Sequence, residues 1–345
     1  MMSSNKKLRV VLVGCGGISN GWVRATGKFD DIKIVGLVDL DVEKAQNMRE
    51  KHELTDAATG NDLNTVLDDT QADAVFDCTV PDAHCEVTLT ALNKGCHVIG
   101  EKPMSTNMED ARQMVAAAER NKRIYAVIQN RRYLNSIVRY RDLVQKSGGI
   151  GDLTTLNADF YMAPRFGGFR DEMKHVLLKD MAIHSFDQAR FISGADAESV
   201  YCHEWNPKGS WYAHGASGVT IFEMSNGLVF TYRGSWCAQG LPTSWECEWR
   251  AIGTDGTAKW DGNEQVDCEA VCTGDNVSFE TEKRASVAPE DLPYLGHGAL
   301  IREFADCIQS GGTPQTICTD NIKSLAMVEA AVQSAETGKK VKVEV

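Results

Sequence analysis

Apolar runs alternate with amphipathic stretches through residues 8–128. Five short runs rich in apolar residues lie at 8–13, 32–38, 74–78, 97–99 and 124–128. Stretches with helical character follow them, the clearest at 43–51, 86–93 and 108–121. Buried parallel strands read as continuous apolar runs, and strands that alternate with helices form βαβ units. The pattern therefore predicts an α/β domain with a doubly wound parallel sheet.

A different pattern begins after a helical stretch at 136–147, where Gly148, Gly149 and Gly151 indicate a boundary. Strand patterns dominate beyond it, at 154–162, 199–204, 218–223, 228–232, 246–252 and 265–271. Turn sequences such as Ser225-Asn226-Gly227 and Thr254-Asp255-Gly256 separate these runs, and Asn-Gly between apolar strands favours a hairpin. We expect a second, α+β domain built on an open, mainly antiparallel sheet.

We divide the chain into a first domain over 1–130 and a second domain over 131–345. A chain of 345 residues is long for one hydrophobic core, which favours two domains. The late amphipathic stretches at 300–308 and 321–337 are expected to pack partly on the first domain.

A glycine-rich turn, Gly14-Cys15-Gly16-Gly17-Ile18-Ser19, follows the first apolar run. In the spacing G-x-G-x-x-S, Gly14 allows a tight turn, Gly16 lets the backbone approach a pyrophosphate, and Ser19 permits close packing of helix on strand. The N-terminus of the following helix offers N–H groups to phosphate. Such a pattern alone also fits a simple turn, and its strand and helix context favours a dinucleotide site.

Asp39 ends the second apolar run, a little over 20 residues after Gly16, where dinucleotide folds keep an acid for the ribose. A 2′-phosphate would meet this carboxylate, and the sequence 40–43 supplies no arginine to offset the repulsion. We therefore predict NAD rather than NADP. Asp39 or Asp41 is also suited to cap the helix that begins near Val42, and both roles are compatible.

Two further turns end apolar runs of the predicted sheet, Thr79-Val80-Pro81-Asp82 and Gly100-Glu101-Lys102-Pro103. Proline has no backbone N–H for a strand ladder, so the chain leaves the sheet at each turn. Ligands of open α/β sheets bind outside the carboxyl ends of the strands. Lys102 is the candidate for chemistry at this edge, although a lone lysine there is more often a solvated loop residue.

Composition excludes several classes of partner. The net charge of −12 and the lack of a basic stripe make nucleic acid a poor partner. No run reaches the roughly 18 apolar residues of a membrane helix, and residues 1–7 leave no room for a signal peptide. The odd number of scattered cysteines, eleven, favours a reducing cytoplasm. Cys268 and Cys272 have no second pair at zinc spacing, so we expect no metal.

Together and in this order, the motifs resemble the Gfo/Idh/MocA oxidoreductases, with a later match at Asp180-Met181-Ala182-Ile183-His184. The resemblance covers nearly the whole chain and implies a Rossmann-type first domain. Asp82 departs from it, because the family usually has Asn after the proline, and this affects hydrogen bonding near the nicotinamide. The cofactor-binding residues that the resemblance implies are Gly14, Gly16, Gly17, Ile18, Asp39, Thr79, Pro81, His84, Glu101 and Lys102.

The resemblance also implies that Lys102, Asp180 and His184 form the catalytic group. Asp180 and His184 are four residues apart in a helical stretch at 176–191 and are expected on one face. Histidine titrates near pH 6.5 and suits the base that takes a hydroxyl proton. A cationic Lys102 stabilises developing alkoxide charge, and Asp180 orients either partner.

Aromatic and polar groups together suit a carbohydrate. Asp187 is nearly as well suited to a salt bridge with Arg190, and Arg165 and Arg170 leave open a carboxylated or phosphorylated sugar. The candidate substrate contacts are Arg131, Arg132, Tyr161, Arg165, Arg170, His175, Asp187 and Trp236.

We predict an NAD-dependent dehydrogenase that oxidises a secondary hydroxyl of a sugar, sugar derivative or cyclic polyol. Alternatives are a sugar–sugar oxidoreductase with a retained nicotinamide, an NAD-dependent glycosidase that oxidises transiently and eliminates, and a non-catalytic dinucleotide sensor. Lys102, Asp180 and His184 disfavour the sensor. The expected partner is a small carbohydrate or polyol, and the resemblance implies a homo-oligomer, dimer or tetramer, through the second sheet.

Overall fold

The computed structural model of the chain describes residues 7–145, 149–272, 281–285 and 291–345. It contains two compact units. The first unit comprises Met1–Asn130 and Pro293–Ile322, and the second comprises Arg131–Leu292 and Lys323–Val345. The end of the predicted helix at 136–147 and the predicted boundary residue Gly148 lie outside the described residues.

The first unit is built on a six-stranded parallel sheet of order β3-β2-β1-β4-β5-β6. The strands are β1 Leu8–Val13, β2 Ile32–Val38, β3 Ala58–Gly60, β4 Ala74–Asp77, β5 His97–Gly100 and β6 Tyr125–Val127. This order reverses between β1 and β4, and such switch points are where open α/β sheets bind ligands. The predicted doubly wound parallel sheet is confirmed.

Helices of the first unit connect its strands and bury one side each. In α5, the buried residues Ala111, Met114, Ala117 and Ala118 recur at the spacing of one helical face. Asp41 and Asp62 cap α2 and α3 by accepting hydrogen bonds from backbone N–H groups. The helices are α1 Ser19–Thr26, α2 Val42–Lys51, α3 Leu63–Thr70, α4 His84–Asn93, α5 Met108–Asn121 and, later in the chain, α8 Gly296–Ser310.

The second unit is built on a nine-stranded sheet in which β7 and β10 pair in parallel and the remaining pairs are antiparallel. The two predicted turns join β9 to β10 and β11 to β12. The predicted open, mainly antiparallel sheet is confirmed. Its strands are β7 Leu153–Tyr161, β8 Ala197–Trp205, β9 Ser217–Met224, β10 Val229–Ser235, β11 Glu248–Gly253, β12 Gly256–Trp260, β13 Val266–Val271, β14 Thr281–Lys283 and β15 Val341–Lys342.

One face of this sheet is buried beneath helices α6 Asn135–Gln145 and α7 Ile183–Ser193. Phe186 of α7 packs its ring against Phe222, Phe230 and Tyr232 of the inner face, with centroids 4.8 to 6.3 Å apart. The outer face is partly apolar, because Tyr201, Ile221 and Val271 are 42 to 46% exposed. Helix α9, Cys318–Thr337, is divided between the two units at Ile322.

Two elements of the first unit lie where the apolar pattern predicts none. Strand β3 has only three residues and no apolar run, while α3 is signalled only by Asp62, which accepts hydrogen bonds from Thr65. No helix in the described part of the chain could cross a membrane. The eleven cysteines are free thiols, and a cytoplasmic location stays a prediction.

Candidate active site

The glycine turn of the first unit is packed closely on one side and open on the other. Gly14 has φ +88°, and a Cβ there would lie 2.7 Å from the backbone carbonyl group of Cys78, so no other residue fits. A Cβ at Gly16 or Gly17 would meet nothing within 4 Å. The Ser19 hydroxyl donates to the Gly16 carbonyl oxygen at 2.7 Å. This exposed turn before α1, which has no side-chain cap or acidic first turn, fits a pyrophosphate.

Asp39 is tied to that turn by its carboxylate. Its Oδ2 accepts the Cys15 N–H at 2.8 Å, and its Oδ1 accepts the Asp41 N–H at 3.0 Å. Asp41 in turn caps α2 by accepting the Glu43 N–H, and Asp39 makes no cap hydrogen bond to that helix in the described contacts. Ile18 and Leu40 expose 49 and 94% of their surface. An anchored acid beside exposed apolar side chains fits the ribose and base of a dinucleotide.

The turn after β4 rests on a buried hydrogen-bonded group. Asp77 Oδ1 accepts from the Thr79 N–H at 3.0 Å and from the Thr79 hydroxyl at 2.6 Å. His84 Nδ1 lies 2.9 Å from Asp77 Oδ2, and both residues are 1% exposed. The His84 ring contacts Asp77 and also lies 3.3 Å from the Thr79 hydroxyl, so it supports this turn from a buried position, and its predicted contact with the cofactor stays a prediction. Pro81 opens a short 3-10 turn above this group.

The carboxylate of Glu101, the residue after β5, contacts three other residues. Its Oε1 accepts the Trp22 indole N–H at 2.8 Å and lies 3.4 Å from His297 Nε2. Its Oε2 accepts the backbone N–H of Lys102 at 3.3 Å. Burial alone would raise the pKa of this carboxyl group, but His297, Trp22 and Lys102 together hold the pKa below its ordinary value. Glu101 is thus a charged support for the half-buried Lys102 rather than an exposed ligand.

In the second unit, Asp180 and His184 belong to one continuous helical stretch that begins with a π-helical segment, Leu177–Ala182, and continues as α7. A π-turn has i→i+5 hydrogen bonds and is often found at functional sites. The predicted regular helix, with the two residues on one face, is therefore altered at Asp180. His184 is 8% exposed.

Arg170 holds Asp180 with two hydrogen bonds. Its Nε lies 2.8 Å from Asp180 Oδ2, and its Nη2 lies 3.3 Å from Asp180 Oδ1. Such a two-point pair restricts the orientation of the carboxylate. Arg131 contacts the same stretch differently, because its Nη2 lies 3.5 Å from the Met181 sulfur. Its Nη1 donates to the Trp245 carbonyl oxygen, and its Nε lies 3.5 Å from Glu246 Oε2.

Arg132 and Asp187, both predicted as substrate contacts, are instead paired with each other. Asp187 Oδ2 accepts from Arg132 Nε at 2.7 Å, and Oδ1 accepts from Nη2 at 2.6 Å. The Ser324 hydroxyl also donates to Asp187 Oδ1, at 2.8 Å. Asp187 is 1% exposed, and Arg190 is a more distant neighbour at 4.0 Å. Burial and mutual pairing leave these two side chains little surface for a ligand, which favours a structural role over the predicted substrate role.

Three other predicted substrate contacts, Tyr161, His175 and Trp236, lie in other parts of the second unit. Tyr161 alternates with the core residue Phe160 at the end of β7, so it faces away from α7. His175 is bound by two carboxylates, with Nδ1 2.6 Å from Glu204 and Nε2 3.3 Å from Glu336. Trp236 is 2% exposed and belongs to the core. Arg165 remains at the surface, with its guanidinium 4.0 Å from the Trp211 ring.

Several residues around these positions are missed by reading motifs alone. Trp22 and His297 support Glu101 from positions far away in sequence, and no local signal reveals them. Phe166, Phe169 and Trp245 are exposed aromatic residues beside Arg170 or Arg131. The sequence Phe166-Gly167-Gly168-Phe169 is a usable signal, because glycines in a loop leave flanking aromatic side chains uncovered.

The fold and the cofactor edge define a nucleotide-dependent oxidoreductase. Residues 8–129 match the model of the oxidoreductase family with an NAD-binding Rossmann fold, and residues 137–259 match the GFO/IDH/MocA C-terminal domain. The chain belongs to the Gfo/Idh/MocA family of oxidoreductases. In the part of the chain that the structure describes, no group of three His, Cys, Asp or Glu side chains could hold a metal ion.

Relatives extend over the whole chain. A 1,5-anhydro-D-fructose reductase of Ensifer adhaerens is 25% identical, over 96% of this chain and 98% of its own. A D-apiose dehydrogenase of Paraburkholderia graminis is 25% identical, over 97% of this chain and 90% of its own. The crystal structure of an Agrobacterium radiobacter oxidoreductase in complex with NAD+, L-tartaric acid and magnesium is 22% identical, with a TM-score of 0.85 and 98% of both chains covered. That structural likeness establishes the fold.

Replacing Asp187 by Ala is expected to lower the free energy of unfolding by about 3–5 kcal/mol, because it leaves the Arg132 charge buried without its partner. Urea unfolding measures this change. Asp159→Ala is the matched control, since it breaks a similar two-point pair with Arg233, whose side chain is 56% exposed, and should cost only about 1 kcal/mol. An Asp187→Ala protein of wild-type stability would return Asp187 to the substrate candidates.

The His175 pair is expected to make stability depend on pH. The hydrogen bond to Glu204 raises the pKa of His175 against the effect of burial, and Glu336 adds to the rise. A histidine whose pKa is raised in the folded state stabilises the protein while the ring is protonated. This contribution is complete below the unfolded-state pKa of about 6.5 and is lost as pH rises through the folded-state pKa. His175→Gln should therefore destabilise more at about pH 5.5 than at about pH 9.

Thermal or urea unfolding across this range measures the effect of His175→Gln. In a Glu204→Gln background the pH dependence of the substitution should shrink, because the main cause of the raised pKa is gone. An effect of His175→Gln that is equal at all pH values would contradict this role.

Proposed function

We propose that this chain is an NAD-dependent dehydrogenase that oxidises a secondary hydroxyl group of a sugar, a sugar derivative or a cyclic polyol. The observation that carries the proposal is the single helical stretch that bears Asp180 and His184, with Asp180 oriented by Arg170. The names of two relatives, a sugar reductase and a sugar dehydrogenase, support the same substrate class.

The proposed mechanism assigns one task to each side chain. Bound NAD supplies an acceptor for the hydrogen and two electrons that leave the carbinol carbon. His184 takes the hydroxyl proton from the substrate, since imidazole suits a general base near neutral pH. Lys102 stabilises the negative charge that develops on the same oxygen. Asp180, fixed by Arg170, orients these groups, and Glu101 keeps the backbone of Lys102 in place.

The proposal is tested by incubating the enzyme and NAD with free sugars, sugar acids, inositols, and methyl and 4-nitrophenyl glycosides. Net formation of NADH, followed at 340 nm, is the expected result for at least one compound. Release of the aglycone without net NADH would identify a glycosidase, and oxidation of one sugar with reduction of another would identify a retained nicotinamide. No reaction of any compound would contradict the proposal.

His184→Ala and Lys102→Met are each expected to lower kcat by about 10² or more, because a general base contributes 10²–10⁴ and an oxyanion donor 10²–10³. The affinity for NAD, measured by calorimetry, should stay within about twofold of wild type, a change of under about 0.5 kcal/mol. Lys179→Met is a matched control in the same helical stretch, where Lys179 pairs with Glu329. Near-normal turnover of either test variant would remove that residue from the catalytic group.

We propose that NAD is preferred over NADP because Asp39 accepts the ribose hydroxyls and repels a 2′-phosphate. Asp39→Asn keeps an acceptor for the Cys15 N–H but removes the charge. The ratio of kcat/KM for NAD to that for NADP should fall at least tenfold, equivalent to about 1.4 kcal/mol. Asp41→Ala, which removes the cap of α2, should cost about 1 kcal/mol of stability and leave this ratio unchanged.

We further propose that the outer face of the second sheet joins copies of the chain. Three apolar side chains exposed on three strands of this face, Tyr201, Ile221 and Val271, support the proposal. Light scattering should give at least twice the chain mass of 37.9 kDa. Ile221→Glu should lower the measured mass. A wild-type protein that is monomeric at micromolar concentration would contradict this surface.

A further inference from the structure

Exposed aromatic side chains gather beside the helical stretch that carries Asp180. Phe166, Phe169 and Trp245 expose 56, 66 and 42% of their surface. We call these three residues the aromatic platform. A cluster of large exposed apolar side chains often marks an interaction site, whereas single exposed apolar residues are common on protein surfaces. Phe166 and Trp245 are neighbours, with ring centroids 6.3 Å apart and planes 31° from parallel.

Buried rings support the platform from below. Trp236, which is 2% exposed, contacts Phe166 and Trp245 edge to face, with centroids 6.1 and 5.7 Å away. Phe160, which is fully buried, packs against Trp236 at 5.4 Å. The Trp245 carbonyl oxygen also accepts a hydrogen bond from Arg131. Phe166 and Trp245 are therefore held at the surface by a packed layer of rings, while Phe169 joins them through Arg170.

Two glycines shape the loop between the phenylalanines. Gly167 and Gly168 have φ of +69° and +70°, a conformation that other residues adopt at a cost. The chain reverses there, so that Phe166 and Phe169 both contact the guanidinium of Arg170, at 5.3 and 4.7 Å from their ring centroids. Cation–π contacts with two rings restrict the position of the arginine.

Arg170 joins the platform to Asp180. Its nitrogens are hydrogen-bonded to the Asp180 carboxylate while its plane contacts the two phenylalanine rings. Its charge is thus already compensated, and Arg165 lies over the Trp211 ring. A ligand that reaches Asp180 from this side meets the aromatic faces of the platform, and Arg170, already paired with Asp180, offers no free charge for a carboxylate or phosphate.

We propose that the aromatic platform is a subsite for the aromatic aglycone of a glycoside whose sugar hydroxyl is oxidised at His184. An aromatic substituent stacks on these rings, and the contact adds binding energy that a methyl glycoside lacks. The inference rests on the proposed function, and it narrows the substrate class from free sugars to aryl glycosides.

Calorimetric titration of the protein saturated with NADH, which cannot accept a hydride from the probes, tests the subsite, with 4-nitrophenyl β-D-glucopyranoside and methyl β-D-glucopyranoside as probes. The nitrophenyl glycoside should bind at least tenfold more tightly. Phe166→Ala and Phe169→Ala should each reduce this preference at least threefold, and the double variant should abolish it. Both side chains are more than half exposed, so these variants keep the core intact. Trp205→Ala, which removes a 41% exposed aromatic residue on β8, is the control and should keep the preference.

Equal affinity for the two glycosides, including binding of neither, overturns the subsite, as does a preference that survives the double variant. Failure of the proposed function looks different. In that case the preference depends on Phe166 and Phe169, but no compound of the substrate panel reduces NAD.

Discussion

The edge of the first sheet that forms the candidate cofactor site depends on residue 14 having no Cβ atom. Gly14 lies so close to the backbone of residue 78 that a Cβ would overlap it at 2.7 Å. This contact brings the turn after β1 against the turn after β4 at the point where the strand order reverses. The Asp39 carboxylate then binds the turn from β2, and Asp77 with His84 holds the turn after β4. The phosphate surface is therefore assembled from backbone shape, with side chains as its supports.

Several charged side chains of the second unit form pairs with other groups of the same unit. Arg132 and Asp187 pair inside the core, Arg170 pairs with Asp180, and Arg131 contacts Glu246 and the Trp245 carbonyl oxygen. Burial raises the pKa of Glu246 even beside Arg131 and Gln188. A neutral, hydroxylated ligand with an apolar face suits this environment better than an anionic one.

The fold was predictable from the sequence because apolar strand-like runs alternate clearly with amphipathic helical stretches. Runs rich in apolar residues, such as 8–13 and 32–38, are typical of strands in a sheet covered on both faces. Strand β3 was not predicted, because its three residues, Ala58–Gly60, are too few to show a strand pattern. The cofactor turns were predictable because local spacing determines them. Arg132 and Asp187 were not, because a charged residue in the sequence does not reveal whether its partner will be substrate or another side chain 55 residues away.

The π-helical segment at Leu177–Ala182 has a consequence for how related chains are compared. It places one more residue in a turn than an α-helix has. Deleting residue 181 or 182 would regularise the helix, shorten the spacing between Asp180 and His184 and change the angle between their side chains. A homologue can thus keep both amino acids and still present them differently. Register within this turn, rather than the identity of the two residues, distinguishes a chain with this geometry from one without it.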